Sequence, residues 1–182
     1  MGVTSIRPFF PNGLGMTVMG RTLWQKDLNL DSIARDYFVS AYGDDGLKCM
    51  EYLKKLSELL NPPYLRGERP LVDAAASRQF GEIPAFIEKF RPAIEKNLQL
   101  ENTSHAKSWE YLYEHGLIVS KFAGVLEAFA AGKIELFMSL WEELKLFICK
   151  KEDELFHVFD VYMFIRWVGS YFEWLQDSDI VH

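Results

Sequence analysis

The sequence predicts an all-α protein, an antiparallel bundle of about six to eight helices with a short extended arm at the N-terminus. Three observations predict it. Trp109, Leu112, Gly116, Val119, Ala123, Leu126 and Ala130 fall alternately three and four residues apart, the spacing of one helix face. Ile134, Phe137, Met138, Trp141, Leu144 and Ile148 make a second such face just beyond Gly132. Between the periodic stretches stand residues that start or stop helices, namely Asp, Asn, Gly and Pro.

The arm comprises residues 1–13. Its opening, from Gly2 to Phe10, is β-branched and aromatic and predicts a short buried strand. A lone strand leaves its backbone N–H and C=O groups without partners, so either the segment is an irregular arm or its sheet lies outside these residues, as in a piece cut from something larger. Pro11-Asn12-Gly13 is a turn.

Residues 14–182 are expected to form one helical domain, with possible sub-units 14–61 and 72–182. The first helix is predicted over 14–25, with Met16, Met19, Leu23 and Trp24 on one face. Asp31 is the expected cap of a second helix over 32–42, which Gly43 closes. Asp44 or Asp45 should cap a third, in which Cys49, Leu53, Leu56 and Leu60 share a face until Asn61-Pro62-Pro63 ends it. After a polar loop at 64–70, a short helix near 72–80 and a longer one over 83–100 are expected. Pro84 suits the first turn of the longer one, and Pro92 should kink or split it.

The helix from 103 ends at Gly132, and the next is antiparallel to it. Gly116 and Ala123 should let the Phe137 and Trp141 face approach closely. The last helix is predicted over 155–175. Only Asp160 and Arg166 are formally charged between 155 and 172. Two mid-span charges at about 2.5–3.5 kcal/mol each argue against a membrane span and for a central, nearly all-round buried helix. Its two charges would then need polar partners. Core positions should include Trp24, Phe38, Leu53, Trp109, Leu112, Leu126, Phe137, Trp141, Ile148 and Phe164.

At 182 residues the chain is long enough for one domain with a sizeable core. An aromatic content of 15% is rich for a helical protein and argues for large buried interfaces. The net charge of −6, with no Lys/Arg cluster among aromatics, excludes a nucleic-acid binder. Cys49 and Cys149 lie 100 residues apart without metal spacing and are expected as reduced core residues. No signal peptide is visible, so the expected location is cytoplasmic, though a fragment would have lost its leader.

The candidate chemistry is sparse. Glu154-Leu155-Phe156-His157 has the Glu-x-x-His spacing of helical di-iron sites, but those need two copies and further carboxylates, and one copy stands here. No metal and no cofactor is expected. Trp109, Tyr111, Tyr113 and His115 crowd around Glu110 and Glu114. Aromatics beside carboxylates suit a sugar-binding groove, which makes Tyr113 and His115 candidate substrate-binding residues. The competing reading assigns some of these rings to the core, Trp109 first. Glycosidase carboxylates must face each other about 5–10 Å apart across a cleft. Glu142-Glu143, Asp44-Asp45 and Glu152-Asp153-Glu154 are neighbours in sequence and look like solvated faces or caps. No serine sits on a strand–turn–helix elbow, so no catalytic residue is assigned.

Phe10-Pro11-Asn12-Gly13-Leu14-Gly15, Leu23-Trp24, Leu30-Asp31, Asp36-Tyr37-Phe38 and Ala41-Tyr42-Gly43 carry a family resemblance. Together they resemble the exit from the barrel in large bacterial glycoside-hydrolase-like proteins. Those proteins are similar to α-glucuronidases and α-N-acetylglucosaminidases in having a helical region after a (β/α)8 barrel. Ser108-Trp109-Glu110-Tyr111-Leu112, His115, Ala131-Gly132 and Phe159-Asp160-Val161-Tyr162 extend the likeness along the chain.

The resemblance implies that the opening strand is the barrel's last and that the catalytic acids precede residue 1. It places the Phe9–Gly15 turn at the face where barrels build active sites. Phe10 and Asn12 would then touch a sugar or the barrel rim, against the plainer reading that Asn12-Gly13 merely closes a turn.

The leading expectation is therefore a non-catalytic accessory helical domain that buttresses a barrel and shapes its cleft. The alternative is a stand-alone helical interaction or oligomerisation module, self-associating through the N-terminal arm. A third is a small helical enzyme or metal protein. The expected partners are a catalytic barrel domain or a second copy, with no nucleic acid and no membrane.

Overall fold

The computed structural model describes residues 10–25 and 27–179, with side chains in the last helix as far as Trp174, and all regular structure in them is helical. The order is α1 (Leu14–Thr22), α2 (Leu30–Tyr42), a 3₁₀ turn (Gly43–Asp45), α3 (Gly46–Leu59), α4 (Pro62–Leu65) and α5 (Ala74–Asn97). Then come α6 (Thr103–Ala130), α7 (Ile134–Lys150), α8 (Glu152–Leu155) and α9 (Val161–Asp179). The all-α bundle expected from the periodicity is what forms.

α5 and α6 are the antiparallel pair at its centre. The start of one is tied to the end of the other, since the Asp73 N–H donates to the Ala130 carbonyl at 2.9 Å. Small residues let them close. A Cβ on Gly116 would lie 3.3 Å from Ile87 of α5, and one on Gly81 would lie 3.2 Å from the Glu127 carboxylate of α6. Gly116 thus serves the α5 contact rather than the expected approach of Phe137 and Trp141.

α6 buries side chains around most of its girth: Trp109, Leu112, Ile118, Val119, Ala123, Val125, Leu126 and Phe129. It packs against α5 on one side, α7 on another, and α2 across its N-terminal half. At that end the Trp109 indole N–H donates to the Tyr42 carbonyl at 2.9 Å. Tyr52 of α3 stacks between Phe86 and Phe90 of α5, its ring centre 5.4 Å and 4.2 Å from theirs.

Helix ends follow side-chain capping. Asn29 Oδ1 accepts from the N–H groups of Asp31 and Ser32, so the cap of α2 is Asn29 and not Asp31. Asp73 and Asn102 cap α5 and α6 in the same way. Gly43 and Gly132 end α2 and α6 at φ +74° and +69°, as expected, because a Cβ resists that region.

Several expectations are corrected. α5 runs unbroken through Pro84 and Pro92. Each proline removes one backbone bond, but the buried face of Phe80, Ile83, Ile87 and Ile94 holds the helix through both sites. The predicted 155–175 helix is broken at 156–160, where Asp160 restarts it by accepting from the Met163 N–H at 2.9 Å. Asp160 is therefore a cap rather than a buried charge, and Arg166 donates to the Tyr162 hydroxyl at 3.1 Å. α9 lies on the surface, with Tyr162, Trp167 and Trp174 exposed; the helix buried nearly all round is α6. α1 stops at Thr22, which leaves Trp24 89% exposed instead of in the core. Cys49 is buried but Cys149 is exposed.

The described residues contain no strand, so the barrel strand and its barrel implied by the resemblance have no counterpart in them. The predicted strand itself, apart from Phe10, lies outside the described residues. The turn that follows belongs to the helical body. The Tyr42 hydroxyl donates to the Pro11 carbonyl at 3.1 Å, and the Gly13 N–H donates to the Tyr37 hydroxyl at 2.6 Å. The tyrosines of α2 satisfy this turn, and no barrel rim is needed to do so.

Candidate functional site

α6 and the turn at 10–13 bring two of the four sequence candidates together. The Phe10 ring meets His115 edge-on at 5.7 Å and Phe159 at 4.9 Å. Behind them Phe159 contacts Phe164, and Phe164 contacts Phe122 of α6. Phe10 thus plugs an aromatic seam where α9 crosses α6. His115 Nδ1 is sealed in this seam without a hydrogen-bond partner among the described residues. Burial pushes the imidazole down from 6.5 to about 4, so it is neutral at pH 7.

Asn12 sits beside this pair but is committed to the turn, its Oδ1 accepting from the Leu14 N–H at 3.1 Å. Tyr113 is elsewhere. Two residues along a helix turn the side chain by about 200°, so Tyr113 and His115 face opposite ways. The Tyr113 hydroxyl accepts from Arg91 of α5 at 3.1 Å, and the guanidinium lies 5.3 Å from its ring centre. Glu88 holds the same guanidinium on its other edge. The four candidates therefore do not converge on one cleft.

A hollow of about 250 Å³ opens beside the turn, edged by Asn12, Tyr37, Tyr42, Ser108 and Tyr111. Its polar groups are largely occupied with the protein's own backbone. Tyr37 and Tyr42 hold the turn as above, and the Ser108 hydroxyl donates to the Ser104 carbonyl at 3.1 Å. Such a wall offers few directed contacts to a substrate. One turn along α6 from Tyr111, Glu114 Oε1 accepts from Lys151 at 3.2 Å, and its Oε2 has no partner among the described residues. Lys151 is shared with Glu154 at 2.8 Å, and its pKa is raised by that bond first and by Glu114 second. Among the described residues no three His, Cys, Asp or Glu side chains are grouped to hold a metal ion. No described helix is long and apolar enough to cross a membrane.

The most perturbed carboxylate is Asp45, which stands at the expected cap position of α3 but spends its side chain on other partners than that helix's N–H groups. Asp45 accepts from Asn97 at 3.0 Å, Lys48 at 2.7 Å and Lys96 at 3.0 Å, and these bonds hold it well below the usual carboxylate range. It staples the α2–α3 corner to the end of α5, and is structural. Because Asp45 and Asn97 are 52 residues apart, no local pattern announces the pair.

Two further concavities are apolar. One, of about 510 Å³, lies between α3 and α5 around Leu47, Tyr52, Phe86 and Phe90. The other, of about 250 Å³, lies between α7 and α9 around Ile134, Met138, Trp141 and Phe172, with Glu142 and Glu173 at its edge.

No protein-family model, curated protein or solved structure matches the chain. The likeness to glycoside-hydrolase-like barrel proteins is corrected accordingly. It rests on short phrases such as Leu23-Trp24 and Ala41-Tyr42-Gly43, which here end helices of an all-helical body.

Proposed function

We propose that this chain is a helical protein-interaction module. The observation that carries the reading is where its large apolar side chains lie. α9 displays Trp174 (51% exposed) and Trp167 (49%) seven residues apart on one face, and α7 displays Met138 (60%) beside Ile134. Single exposed apolar residues are ordinary, but large ones repeated along one helix face are the usual mark of a contact surface. Tryptophan and tyrosine are also the residues that concentrate binding energy at interfaces. The few directed polar groups in the hollows support this reading over catalysis. Self-association through the N-terminal arm falls mainly on residues 1–9, outside the described ones, so the surface proposed here is the Trp167–Trp174 face of α9.

The test is site-specific photo-cross-linking in the cells that make the protein. A photoreactive residue replaces Trp167, and in a parallel strain Lys54, an exposed polar position on α3. A discrete cross-linked species from position 167 and none from 54 is the expected outcome. Equal or absent cross-linking at both positions overturns the reading.

A further inference from the structure

We propose that the Trp167–Trp174 face of α9 pairs with the same face of a second copy of this chain, the two helices running antiparallel about a two-fold axis near Ser170. The proposal rests on the interaction-module reading and adds the identity of the partner. At roughly 100° per residue, Met163, Arg166, Trp167, Glu173 and Trp174 all fall within about 60° of Ser170 around the helix. Of this set only Met163 is half-buried; the others, with Ser170 itself, are exposed. Ser170 is small, so the middle of the face lies low and a second helix can come close there.

The order of charges and rings about Ser170 names the partner. Arg166 stands four residues before it and Glu173 three after; Trp167 stands three before and Trp174 four after. Around the helix the two charges lie on one side of Ser170 and the two indoles on the other. A two-fold axis at Ser170 exchanges before for after and keeps each side with itself. Arg166 of each copy then meets Glu173 of the other, and the indoles of both copies gather along the opposite edge. A parallel pair would set like charges side by side, which opposes it. Arg166 and Glu173 are the charged residues between 161 and 174, and neither has an ion pair with another described residue. Seven residues, about 10 Å of helix, separate them within one chain. Across the hollow from Glu173, the Glu142 carboxylate of α7 is already held by Lys145 at 2.6 Å. Lys133 and Glu135, near the start of α7, offset one another in net charge. The surface is therefore balanced overall, and it is the mirrored placement of its two unpaired charges that fits a second copy.

The experiment is analytical ultracentrifugation of the full chain across a range of protein concentration. A reversible monomer–dimer equilibrium is the expected result. Arg166→Glu should raise the dimer dissociation constant about tenfold or more, because both symmetry-related pairs turn repulsive at once. Adding Glu173→Arg to that variant should restore it to within about threefold of the wild type, since the pairs re-form with their signs exchanged. Melting of the dilute monomer should be unchanged in both, as both side chains are exposed. Ser170→Cys, in a chain that also carries Cys149→Ser, should give a disulfide between copies on mild oxidation, because a residue on a two-fold axis meets itself. Lys54→Cys in the same background should not.

A chain that is monomeric at every concentration, a dimer untouched by Arg166→Glu, or a double variant that fails to restore pairing overturns the proposal. So does oxidation that links copies equally through positions 54 and 170. If the chain is monomeric while position 167 still cross-links to a discrete species of other than twice its mass, the module reading stands and only the second copy falls. If position 167 gives no discrete species and no dimer forms, both fall.

Discussion

His115 holds its neutral form at a cost that pH can expose. Its ordinary value is 6.5 and in the fold it titrates near 4. Above 6.5 both the folded and the unfolded chain carry a neutral ring, and the residue adds no pH dependence. Between 6.5 and 4 the unfolded chain takes up a proton that the folded one refuses, so stability falls as pH drops, by up to about 3 kcal/mol. Below 4 this contribution levels off. Asp45 is shifted down from 3.8, so its stabilisation is present above 3.8 and is lost as pH falls further; the two windows separate. Denaturant titrations across pH should show the 6.5-to-4 slope in the wild type and lose it in His115→Leu; an unchanged slope in the variant refutes the assignment. Residues of this kind divide in how legible they are. Trp109, Phe38 and Ile148 could be placed in the core by helical spacing alone. The His115 seam and the Asp45–Asn97 bond depend on segments that meet only in the folded chain.

Between elements, the closest approach at any described glycine is that of α3 to α2. A Cβ on Gly46 would fall 2.2 Å from the Phe38 carbonyl oxygen and 2.6 Å from its carbon, and backbone cannot yield as a side chain can. Gly46→Ala should therefore force the two helices apart and cost about 3 kcal/mol or more in urea denaturation. Gly15→Ala in α1, where a Cβ meets nothing within 4 Å, is the matched control and should be neutral or stabilising by up to about 1 kcal/mol. A Gly46→Ala variant as stable as Gly15→Ala would mean that helix propensity, not contact, governs the site. Helix ends were legible where one residue type has one use, as with Gly43 and Gly132. They were less so where two candidates compete. Asn29 and Asp31 are both cap formers, and the chain uses the first. Pro84 and Pro92 misled for a different reason: a proline's local cost is fixed, but the buried face that offsets it is tertiary.

Over the whole molecule, burial is uneven, and the unevenness follows the proposed surface. α6 is sealed by α5, α7 and α2, whereas α1 buries no side chain and α9, as far as Trp174, buries only Val161 and Phe172. The sequence made α6 and α9 look alike because both are apolar. What separates them is side-chain size: Gly116, Ala123 and Ala128 let neighbours close on α6, while the indoles of Trp167 and Trp174 leave α9 at the surface. Local opening follows such differences. Amide hydrogen exchange should be slowest in α6 around residues 123–128, and fastest among the helices in α1 and α9. Uniform exchange in the free protein would remove the premise that the loosely buried helix is the one kept for a partner.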